Sequence, residues 1–285
     1  MNRPSARAPL PGETELRLAP EPTTRILTGF LRHEVERVGW GRVVFGLSGG
    51  IDSAVVAALA VRALGPGAVT PLLMPYRASH PLSLVHAEQM LGLLGVVGEK
   101  VDITPMVDAF AQQSGATDPL RLGNVMARVR MTVLYDRSAA DRALVLGTSN
   151  KTELLLGYGT LHGDLASALN PIGDLYKTQV RALAAHLGVP AGIRRKPPSA
   201  DLWPAQSDEE DLGFSYDEVD RLLALVVDAR MSRAGVIRAG FPPALVDRVT
   251  RMVVRSQFKR RPPVIAKVST RSIGWDFRYP RDWRT

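Results

Sequence analysis

The residues of this sequence that are best suited to chemistry lie in one glycine-rich run, Gly46-Leu47-Ser48-Gly49-Gly50-Ile51-Asp52-Ser53. Gly49 and Gly50 leave backbone N–H groups open to the close approach of a phosphate. Ser48 and Ser53 add hydroxyl donors, and Asp52 offers a hard oxygen ligand for Mg²⁺. The run therefore predicts a loop that binds the phosphates of a nucleotide.

Other interpretations of this run stay open from the residues alone. A tight strand-to-helix turn would explain the glycines but not the polar side chains. The pattern Gly46-x-Ser48-x-Gly50 also matches the nucleophile elbow of α/β-hydrolases. Such an elbow ordinarily follows several strands and needs a histidine, and no spacing identifies His162 or His186 as that partner. The run lacks the lysine of a P-loop, so γ-phosphate transfer of that type is not predicted.

The glycine-rich run lies between a β-branched segment and an alanine-rich segment, and this alternation continues along the chain. Residues 42–47 are predicted as a strand, and residues 53–64 as the helix that follows. The other predicted strands are 69–74, 96–101 and 143–147, and the other predicted helices are 23–38, 81–94, 124–137 and 177–187. Nearly continuous apolar strands separated by helices indicate an α/β fold, with a parallel sheet covered by helices on both faces. Ligands bind such sheets beyond the carboxyl ends of the strands, where the run lies.

The start of the chain differs in composition from the rest. Residues 1–22 hold five prolines and little apolar periodicity, so we predict a flexible leader there. Residues 23–285 are predicted as a single domain that includes a C-terminal extension. The proline-containing stretch 196–204 is predicted as a surface loop.

Composition narrows the class of protein. The chain has 285 residues, 45% of them apolar and 22% charged, as in a soluble globular protein. We expect a cytoplasmic protein with no membrane partner, because no segment reaches the ~18 consecutive apolar residues of a spanning helix. The absence of cysteine excludes disulfides and thiol nucleophiles. The net charge of +8 comes without interleaved aromatic residues, so we predict anionic small molecules as partners and no nucleic acid.

The glycine-rich run and several motifs elsewhere in the chain together resemble those of one enzyme family. Ser48-Gly49-Gly50-Ile51-Asp52-Ser53 looks like the SGGxDS signature of ATP pyrophosphatases, in which this loop holds the pyrophosphate leaving group. Six further blocks, in order, resemble NAD synthetase: Asn124-x-x-x-Arg128-x-Arg130-Met131, Gly147-Thr148-Ser149-Asn150-Lys151-Thr152-Glu153, Gly163-Asp164, Pro171-Ile172-Gly173-Asp174-Leu175-Tyr176-Lys177-Thr178-Gln179, Lys196-Pro197-Pro198-Ser199-Ala200-Asp201-Leu202 and Asp208-Glu209-Glu210. The resemblance covers about residues 43–261.

The resemblance implies both a fold and a reaction. The fold is that of the adenine nucleotide alpha hydrolase-like, Rossmann-like proteins. The reaction is the amidation of deamido-NAD to NAD: ATP adenylates the nicotinate carboxylate with loss of pyrophosphate, and ammonia then displaces AMP. The expected substrates are ATP, deamido-NAD and ammonia, with Mg²⁺ as the cofactor. The family also implies a homodimer, with deamido-NAD bound between two subunits.

The resemblance also assigns roles to individual positions. The implied metal ligands are Asp52 and Glu153, and the implied catalytic residues are Asp52, Lys177 and Ser199. The implied ATP contacts are Gly46, Leu47, Ser48, Gly49, Gly50, Ile51, Asp52, Ser53, Thr148, Lys177 and Ser199. The implied deamido-NAD contacts are Asn124, Arg128, Asp164, Phe258 and Lys259. Taken singly, Lys177 and Arg128 also fit an exposed charged face.

This sequence departs from the commonest form of the family on the acceptor side. Leu161 stands where lysine is usual, Ala168 where aspartate is usual, and Phe258 where histidine is usual. Leu165-Ala166 replaces a pair of glycines. The ATP side of the site is therefore matched more fully than the deamido-NAD side.

The absence of cysteine bears on which molecule donates the amide nitrogen. The glutaminases attached to such synthetases use a cysteine nucleophile, and this chain has none. We therefore predict that the chain uses free ammonia, although a separate glutaminase subunit would escape this argument. Two other functions stay open: another ATP pyrophosphatase that amidates or thiolates a different acceptor, and a nucleotide-binding module without catalysis.

Overall fold

The computed structural model describes residues 9–203 and 206–272, in which strands alternate with helices before the chain ends in helices alone. The strands are β1 (Arg42–Gly46), β2 (Val69–Leu73), β3 (Glu99–Lys100) and β4 (Ala143–Val145). The helices before β4 are α1 (Pro20–Val38), α2 (Ile51–Leu64), α3 (Pro81–Leu94), α4 (Thr104–Ser114) and α5 (Pro119–Asp141). The helices after β4 are α6 (Lys151–Leu156), α7 (Lys177–His186), α8 (Ala191–Arg195), α9 (Asp208–Leu212), α10 (Tyr216–Leu223), α11 (Arg233–Arg238) and α12 (Pro243–Arg255).

The strands form a parallel sheet in the order β3-β2-β1-β4, which confirms the predicted α/β class. Val43 of β1 pairs with Val69 on one side and with Leu144 on the other, so β1 lies inside the sheet. Parallel neighbours need crossover connections, and the intervening helices supply them. The loop after β1 therefore opens at the carboxyl edge, between β2 and β4.

Helices cover both faces of this sheet. Side chains alternate along β1, so that Val43 and Phe45 pack into a core with α1, α2 and α7. Val44, between them, packs into a second core with α4 and α5 on the opposite face. Val43, Val44 and Phe45 are all apolar because the centre of β1 is buried on both sides, and the loop that follows has a rigid base.

Helices α6, α9, α10, α11 and α12 form a further layer beside the sheet. Its buried centre includes Tyr216, Val236 and Val249. A π-helical turn at Ala224–Asp228 follows α10. It brings the Asp228 carboxylate to the Lys151 ammonium at 2.9 Å and to the Tyr176 hydroxyl at 2.8 Å. The layer is thereby tied to the starts of α6 and α7.

The structure differs from the flexible leader predicted for residues 1–22 wherever that segment is described. Helix α1 begins at Pro20, because proline fits the first turn of a helix, where the missing N–H needs no partner. Gly12 is buried, and Leu16 packs against the C-terminal apolar cluster. Proline prevents regular structure in this segment but does not prevent packing.

Element boundaries differ from the prediction in three other places. The predicted strand 96–101 is reduced to Glu99–Lys100, and helix α4 was not predicted. Helix α5 extends the predicted 124–137 at both ends, with Asp118 capping its first turn through the Arg121 N–H at 2.9 Å. The C-terminal extension beyond residue 272 lies outside the described residues. Within the described chain, every helix is too short or too polar to cross a bilayer.

Candidate active site

The glycine-rich loop leaves β1 at the carboxyl edge of the sheet and enters α2. Gly49 has φ +74°, and a Cβ at this position would lie 2.0 Å from the carbonyl oxygen of Ser83. Only glycine fits this contact between the loop and α3. The absence of a side chain at Gly49 thus allows the loop to pack directly against α3.

Serine hydroxyls set the shape of this loop. The Ser53 hydroxyl accepts the Ser48 N–H at 3.2 Å and donates to the Gly50 carbonyl at 3.0 Å. The Ser48 hydroxyl lies 3.1 Å from that of Ser53 and accepts the Gly50 N–H at 3.3 Å. No histidine among the described residues bonds to Ser48, so the alternative of a hydrolase nucleophile elbow is not supported. The first turn of α2 has no side-chain cap at Gly50 and presents free N–H groups.

Three charged side chains from separate helices meet beside this loop. The Lys177 ammonium at the start of α7 donates to Asp52 Oδ2 at 2.5 Å and to Glu153 Oε1 at 3.2 Å. The Lys177 side chain is only 3% exposed, and the two carboxylates are 16% and 15% exposed. The carboxylates of Asp52 and Glu153 therefore point at one position, which the Lys177 ammonium occupies.

Burial and charge compete at this cluster. Burial raises the pKa of Glu153 to about 8, the Lys177 charge opposes that rise, and the Asp52 charge adds to it. Burial also disfavours the Lys177 ammonium, but the Asp52 and Glu153 carboxylates outweigh it and raise the Lys177 pKa above its usual range. The lysine therefore stays charged, and the pair of carboxylates depends on it for neutralisation.

Asn150 links two parts of the cluster. Its side-chain N–H donates to Asp52 Oδ1 at 2.9 Å, and its side-chain oxygen accepts the Glu153 N–H at 3.0 Å. The Glu153 carboxylate in turn accepts the Asn150 N–H at 3.2 Å, completing a capping box at the start of α6. Asn150 is fully buried, so this contact orients both carboxylates from below the cavity floor.

A metal ion would fit the two carboxylates only together with a substrate. Hard cations such as Mg²⁺ are ordinarily bound by one or two carboxylates plus substrate phosphates. Asp52 and Glu153 are two such oxygen donors aimed at one point beside a phosphate-binding loop. Within residues 9–203 and 206–272, no group of three or more His, Cys, Asp or Glu side chains forms a cage. The donor set suits a metal that arrives with a nucleotide.

A cavity of about 870 Å³ opens in front of the loop and the charged cluster. Its walls come from the carboxyl ends of β1 and β2, from α5, and from the stretch 196–203. The predicted site residues that line it are Gly46, Leu47, Ser48, Gly50, Ile51, Asp52, Thr148, Glu153, Lys177, Ser199, Asn124, Asp164 and Lys259. Gly49 and Ser53 lie behind this wall and shape the loop. The structure thus brings most of the predicted site together.

Two residues predicted to bind the acceptor lie elsewhere in this single chain. Arg128 is exposed on α5 and does not line the cavity, whereas Arg130 on the same helix does. Phe258 is 60% exposed and lines a separate surface groove with arginines of α12. The assignment of Arg128 to the acceptor stays a prediction, and Arg130, two positions further along the same helix, had no role assigned from the sequence.

The acceptor side of the cavity is held by hydrogen bonds between loops. The Thr160 hydroxyl donates to Asn124 Oδ1 at 2.8 Å, and the Thr160 backbone N–H donates to Asp164 Oδ1 at 2.7 Å. The Lys259 ammonium donates to the carbonyls of Gly157 and Gly159 at 2.8 and 2.7 Å. These contacts leave the Asn124 amide N–H groups without a protein acceptor in the described structure.

The stretch 196–203 lines the cavity and attaches to the start of α3. Asp201 accepts the His80 N–H at 2.9 Å and the Ser83 hydroxyl at 2.9 Å, and the Lys196 ammonium donates to that hydroxyl at 2.9 Å. The Ser199 hydroxyl accepts the Asp201 N–H at 3.1 Å, which sets its place at the cavity wall. Asp201 is part of one of the sequence motifs, but the sequence did not predict that it attaches this stretch to α3.

A buried tyrosine–carboxylate network lies beside the cluster. Asp208 is 4% exposed and accepts the hydroxyls of Tyr158 at 3.0 Å and Tyr216 at 3.2 Å. It also accepts the Ala200 N–H at 3.1 Å, which ties α9 to the stretch that carries Ser199. Burial raises the pKa of the Asp208 carboxyl, against the lowering effects of Lys177 and the two hydroxyls. Asp208 is part of one of the sequence motifs, but it was not predicted as a site residue.

Comparison with known proteins agrees with this geometry. The family model described as NAD synthase matches residues 23–263. The chain is 58% identical to an NH(3)-dependent NAD(+) synthetase of Chlorobium phaeobacteroides over 259 residues, which are 91% of this chain and 94% of that one. The corresponding synthetase of Chlorobaculum tepidum is 59% identical over the same shares.

Solved structures show the same fold. The NH3-dependent NAD synthetase of Campylobacter jejuni is similar, with a TM-score of 0.77 and 37% identity over 88% of this chain and 100% of that one. The NMN synthetase of Francisella tularensis is similar, with a TM-score of 0.78 and 32% identity over 88% of this chain and 99% of that one. The predicted adenine nucleotide alpha hydrolase-like fold is thereby confirmed.

Proposed function

This chain belongs to the NAD synthase family, and on that premise we propose that ATP bound in its cavity adenylates the nicotinate carboxylate of deamido-NAD. Ammonia then attacks the activated carboxylate, and AMP leaves. The chain is a ligase of ammonia-dependent NAD synthesis, as the resemblance in the sequence implied. Its binding of ATP follows from the family. The residue roles below are proposals that rest on the geometry of the cavity.

The observation that carries the proposal is the meeting of Asp52, Glu153 and Lys177 beside the glycine-rich loop. Attack on the α-phosphate of ATP builds negative charge on the phosphorus oxygens and on the departing pyrophosphate. The loop offers free N–H groups at the start of α2 to that pyrophosphate. A non-catalytic nucleotide-binding module would need the glycines but not two buried carboxylates around a buried lysine.

Mg²⁺ is proposed as the cofactor, with Asp52 and Glu153 as the residues that would hold it. When bound with ATP, it would neutralise phosphate charge during transfer. Lys177 sits between the two carboxylates, so it is placed to turn toward a phosphate oxygen once the nucleotide enters. Ser199 also lines the cavity, and we propose that its hydroxyl contacts the same chain of phosphates.

The second half-reaction needs an ammonia molecule and a dry site. The cavity wall includes Tyr158, Asp208 and the stretch 196–203. Excluding water protects an acyl adenylate from hydrolysis until ammonia attacks the carbonyl carbon and AMP leaves. We propose that free ammonia, and not glutamine, serves as the donor, because the chain has no cysteine nucleophile. The similarity to ammonia-dependent NAD synthetases disfavours the alternatives of a thiolating enzyme and of a binding module without catalysis.

We propose a homodimer in which α5 lies at the subunit interface. Leu120 on this helix is 64% exposed and Tyr135 is 40% exposed, and Arg128 is exposed between them. Arg128 does not reach the cavity of its own chain, so its implied contact with deamido-NAD requires a neighbouring subunit. A mass in solution that corresponds to one chain at active concentrations would contradict this. A cytoplasmic location is proposed on the same family basis.

The function is tested by measuring AMP formation with purified protein, ATP and Mg²⁺, with and without deamido-NAD. We expect AMP and NAD to form together, and only when acceptor and ammonium are both present. Replacing ammonium by ammonia-free glutamine is expected to abolish NAD formation, and comparable rates from glutamine would refute the choice of donor. An arm with the corresponding mononucleotide acceptor tests the alternative suggested by the similarity to an NMN synthetase.

A further inference from the structure

Arg130 is the cationic residue of the cavity whose donors are least used by the protein. Its Nε donates to the carbonyl oxygen of Met74, just beyond the end of β2, at 3.1 Å. Among the described residues, its terminal nitrogens form no hydrogen bond and no ion pair. A guanidinium has five N–H donors in a planar fork, so four donors remain available at the cavity wall.

The other cations of the cavity are already engaged by protein groups. Lys177 neutralises two carboxylates, Lys259 donates to two backbone carbonyls, and Lys196 donates to the Ser83 hydroxyl. Arg130 therefore keeps the most open donors among these cations, four against two on Lys196 and one each on Lys177 and Lys259.

Two carboxylates influence Arg130 without pairing with it. Asp164 and Asp201 favour its charged form electrostatically, and neither forms an ion pair with it in the described structure. Both carboxylates have other donors, because Asp164 accepts the Thr160 N–H and Asp201 accepts the Ser83 hydroxyl. Burial lowers the pKa of Arg130, which means that water solvates its charge poorly. A poorly solvated, unpaired guanidinium is costly until an anion binds it.

We propose that Arg130 binds a substrate oxyanion, a phosphate or carboxylate group that enters the cavity during NAD synthesis. The bond from Nε to Met74 orients the guanidinium plane, and the terminal N–H groups are then placed for the bidentate contact that arginine makes with such groups. Arg130 lines the cavity from α5, together with residues of the loop that enters α2. The inference rests on the proposed function, which supplies the anions: the ATP phosphates, the deamido-NAD phosphates and the nicotinate carboxylate.

The test compares Arg130→Lys and Arg130→Met with a control on the same helix, Arg121→Met. Arg121 is exposed and does not line the cavity. We expect Arg130→Met to raise the KM of one substrate about tenfold or more, as loss of a charge-assisted hydrogen bond does. Arg130→Lys should be intermediate, because it keeps the charge but loses the fork. The control should stay within about twofold, as surface substitutions do.

Binding without turnover separates the sources of the oxyanion. The shift in Tm caused by ATP alone, and by deamido-NAD alone, is measured for each variant. A shift lost only with ATP identifies a nucleotide phosphate, and a shift lost only with deamido-NAD identifies the acceptor. Both KM values and both shifts unchanged in Arg130→Met, with a lowered Tm, would show a merely structural arginine and overturn the proposal.

The test remains decisive if Arg130→Met does not fold or if the wild-type protein is inactive. If Arg130→Met does not fold, Arg130→Lys decides the question, since it keeps the long apolar stem and the charge: an unchanged KM and an unchanged ligand-induced Tm shift overturn the proposal. If the wild-type protein forms no NAD, the proposed function has failed. The ligand-induced Tm shifts then still test whether Arg130 contacts ATP or the dinucleotide.

Discussion

Lys177 Nζ lies 2.5 Å from Asp52 Oδ2, although 125 positions of sequence separate the two residues. Glu153 Oε1 lies 3.2 Å from the same nitrogen. One ammonium thus neutralises two carboxylates that would otherwise repel each other in a buried site. Substitutions in this cluster consequently have unequal effects. Loss of one carboxylate leaves a neutral pair, whereas loss of the lysine would leave two like charges.

Asp52→Asn is expected to abolish AMP release while leaving the fold intact. The amide cannot act as an anionic oxygen ligand, and the remaining Lys177–Glu153 pair stays neutral overall. We expect the rate of AMP release to fall by about 100-fold or more, the scale of losing a preorganised electrostatic group. AMP is measured by chromatography, and folding by Tm.

Asp136→Asn serves as the control for this substitution, because Asp136 is an exposed residue of α5 away from the cavity. Its rate should match that of the wild type. If Asp52→Asn turned over ATP at close to the wild-type rate, the assignment of Asp52 as a metal ligand would be wrong.

Thr152 is expected to position the lysine from outside the cavity. Its fully buried hydroxyl donates to Asp220 at 2.5 Å and accepts the Lys177 N–H at 3.0 Å. Thr152→Val keeps the shape but leaves both partners unsatisfied, at a cost of about 1–3 kcal/mol for each buried group. We expect a lower Tm and a lower kcat for NAD formation, because the start of α7 loses its anchor.

Thr152→Ser is the matched variant, since it retains the hydroxyl and loses only a methyl group. It should restore most of the kcat that Thr152→Val loses. Equal kcat values in the two variants, despite different Tm values, would show that the hydroxyl stabilises the fold without positioning Lys177.

Stability is expected to depend on pH through Asp220, which is fully buried. Burial raises its carboxyl pKa, against the opposing effects of Thr152, Thr178 and Arg181. Between the usual aspartate pKa and this raised value, the folded state holds a proton that the unfolded chain has lost. The contribution of Asp220 is therefore full below the usual pKa and is lost as pH rises through the raised one.

Denaturant unfolding across the acidic pH range measures this effect. Asp220→Asn cannot titrate, so its free energy of unfolding should fall less than that of the wild type as pH rises through the window. Parallel pH profiles for the two proteins would mean that Asp220 titrates alike in the folded and unfolded states.

Gly12 is expected to anchor the start of the chain. It has φ +81°, and a Cβ there would lie 2.3 Å from the carbonyl oxygen of Arg221. Gly39 has a similar φ of +76° but no atom within 4 Å of its Cβ position. Gly12→Ala should therefore lower Tm more than Gly39→Ala, because both variants share backbone strain of about 1–2 kcal/mol and only the first adds a clash. Equal losses would mean that residues 9–19 detach in solution.

Local patterns were enough to predict the sheet and the phosphate-binding loop. The apolar run of residues 42–47, the glycines after it and the alanine-rich segment behind it specify strand, turn and helix through nearest neighbours alone. Glu153 and Lys177 were predicted only through resemblance to a family, since nothing in their local sequence says that they meet. Their meeting depends on how α6 and α7 pack, which is a long-range property.

The tertiary structure decided which side chains face the cavity. Arg128 and Arg130 lie in one motif on one helix, and only packing against the sheet turns Arg130 inward and leaves Arg128 exposed. The same holds for Asp208 and Asp201, whose partners come from segments remote in sequence. A sequence specifies local backbone preferences and order along the chain, but the direction of a side chain depends on the summed contacts of the whole fold. The reaction class could therefore be read from motifs, whereas the wall of the cavity could be seen only in three dimensions.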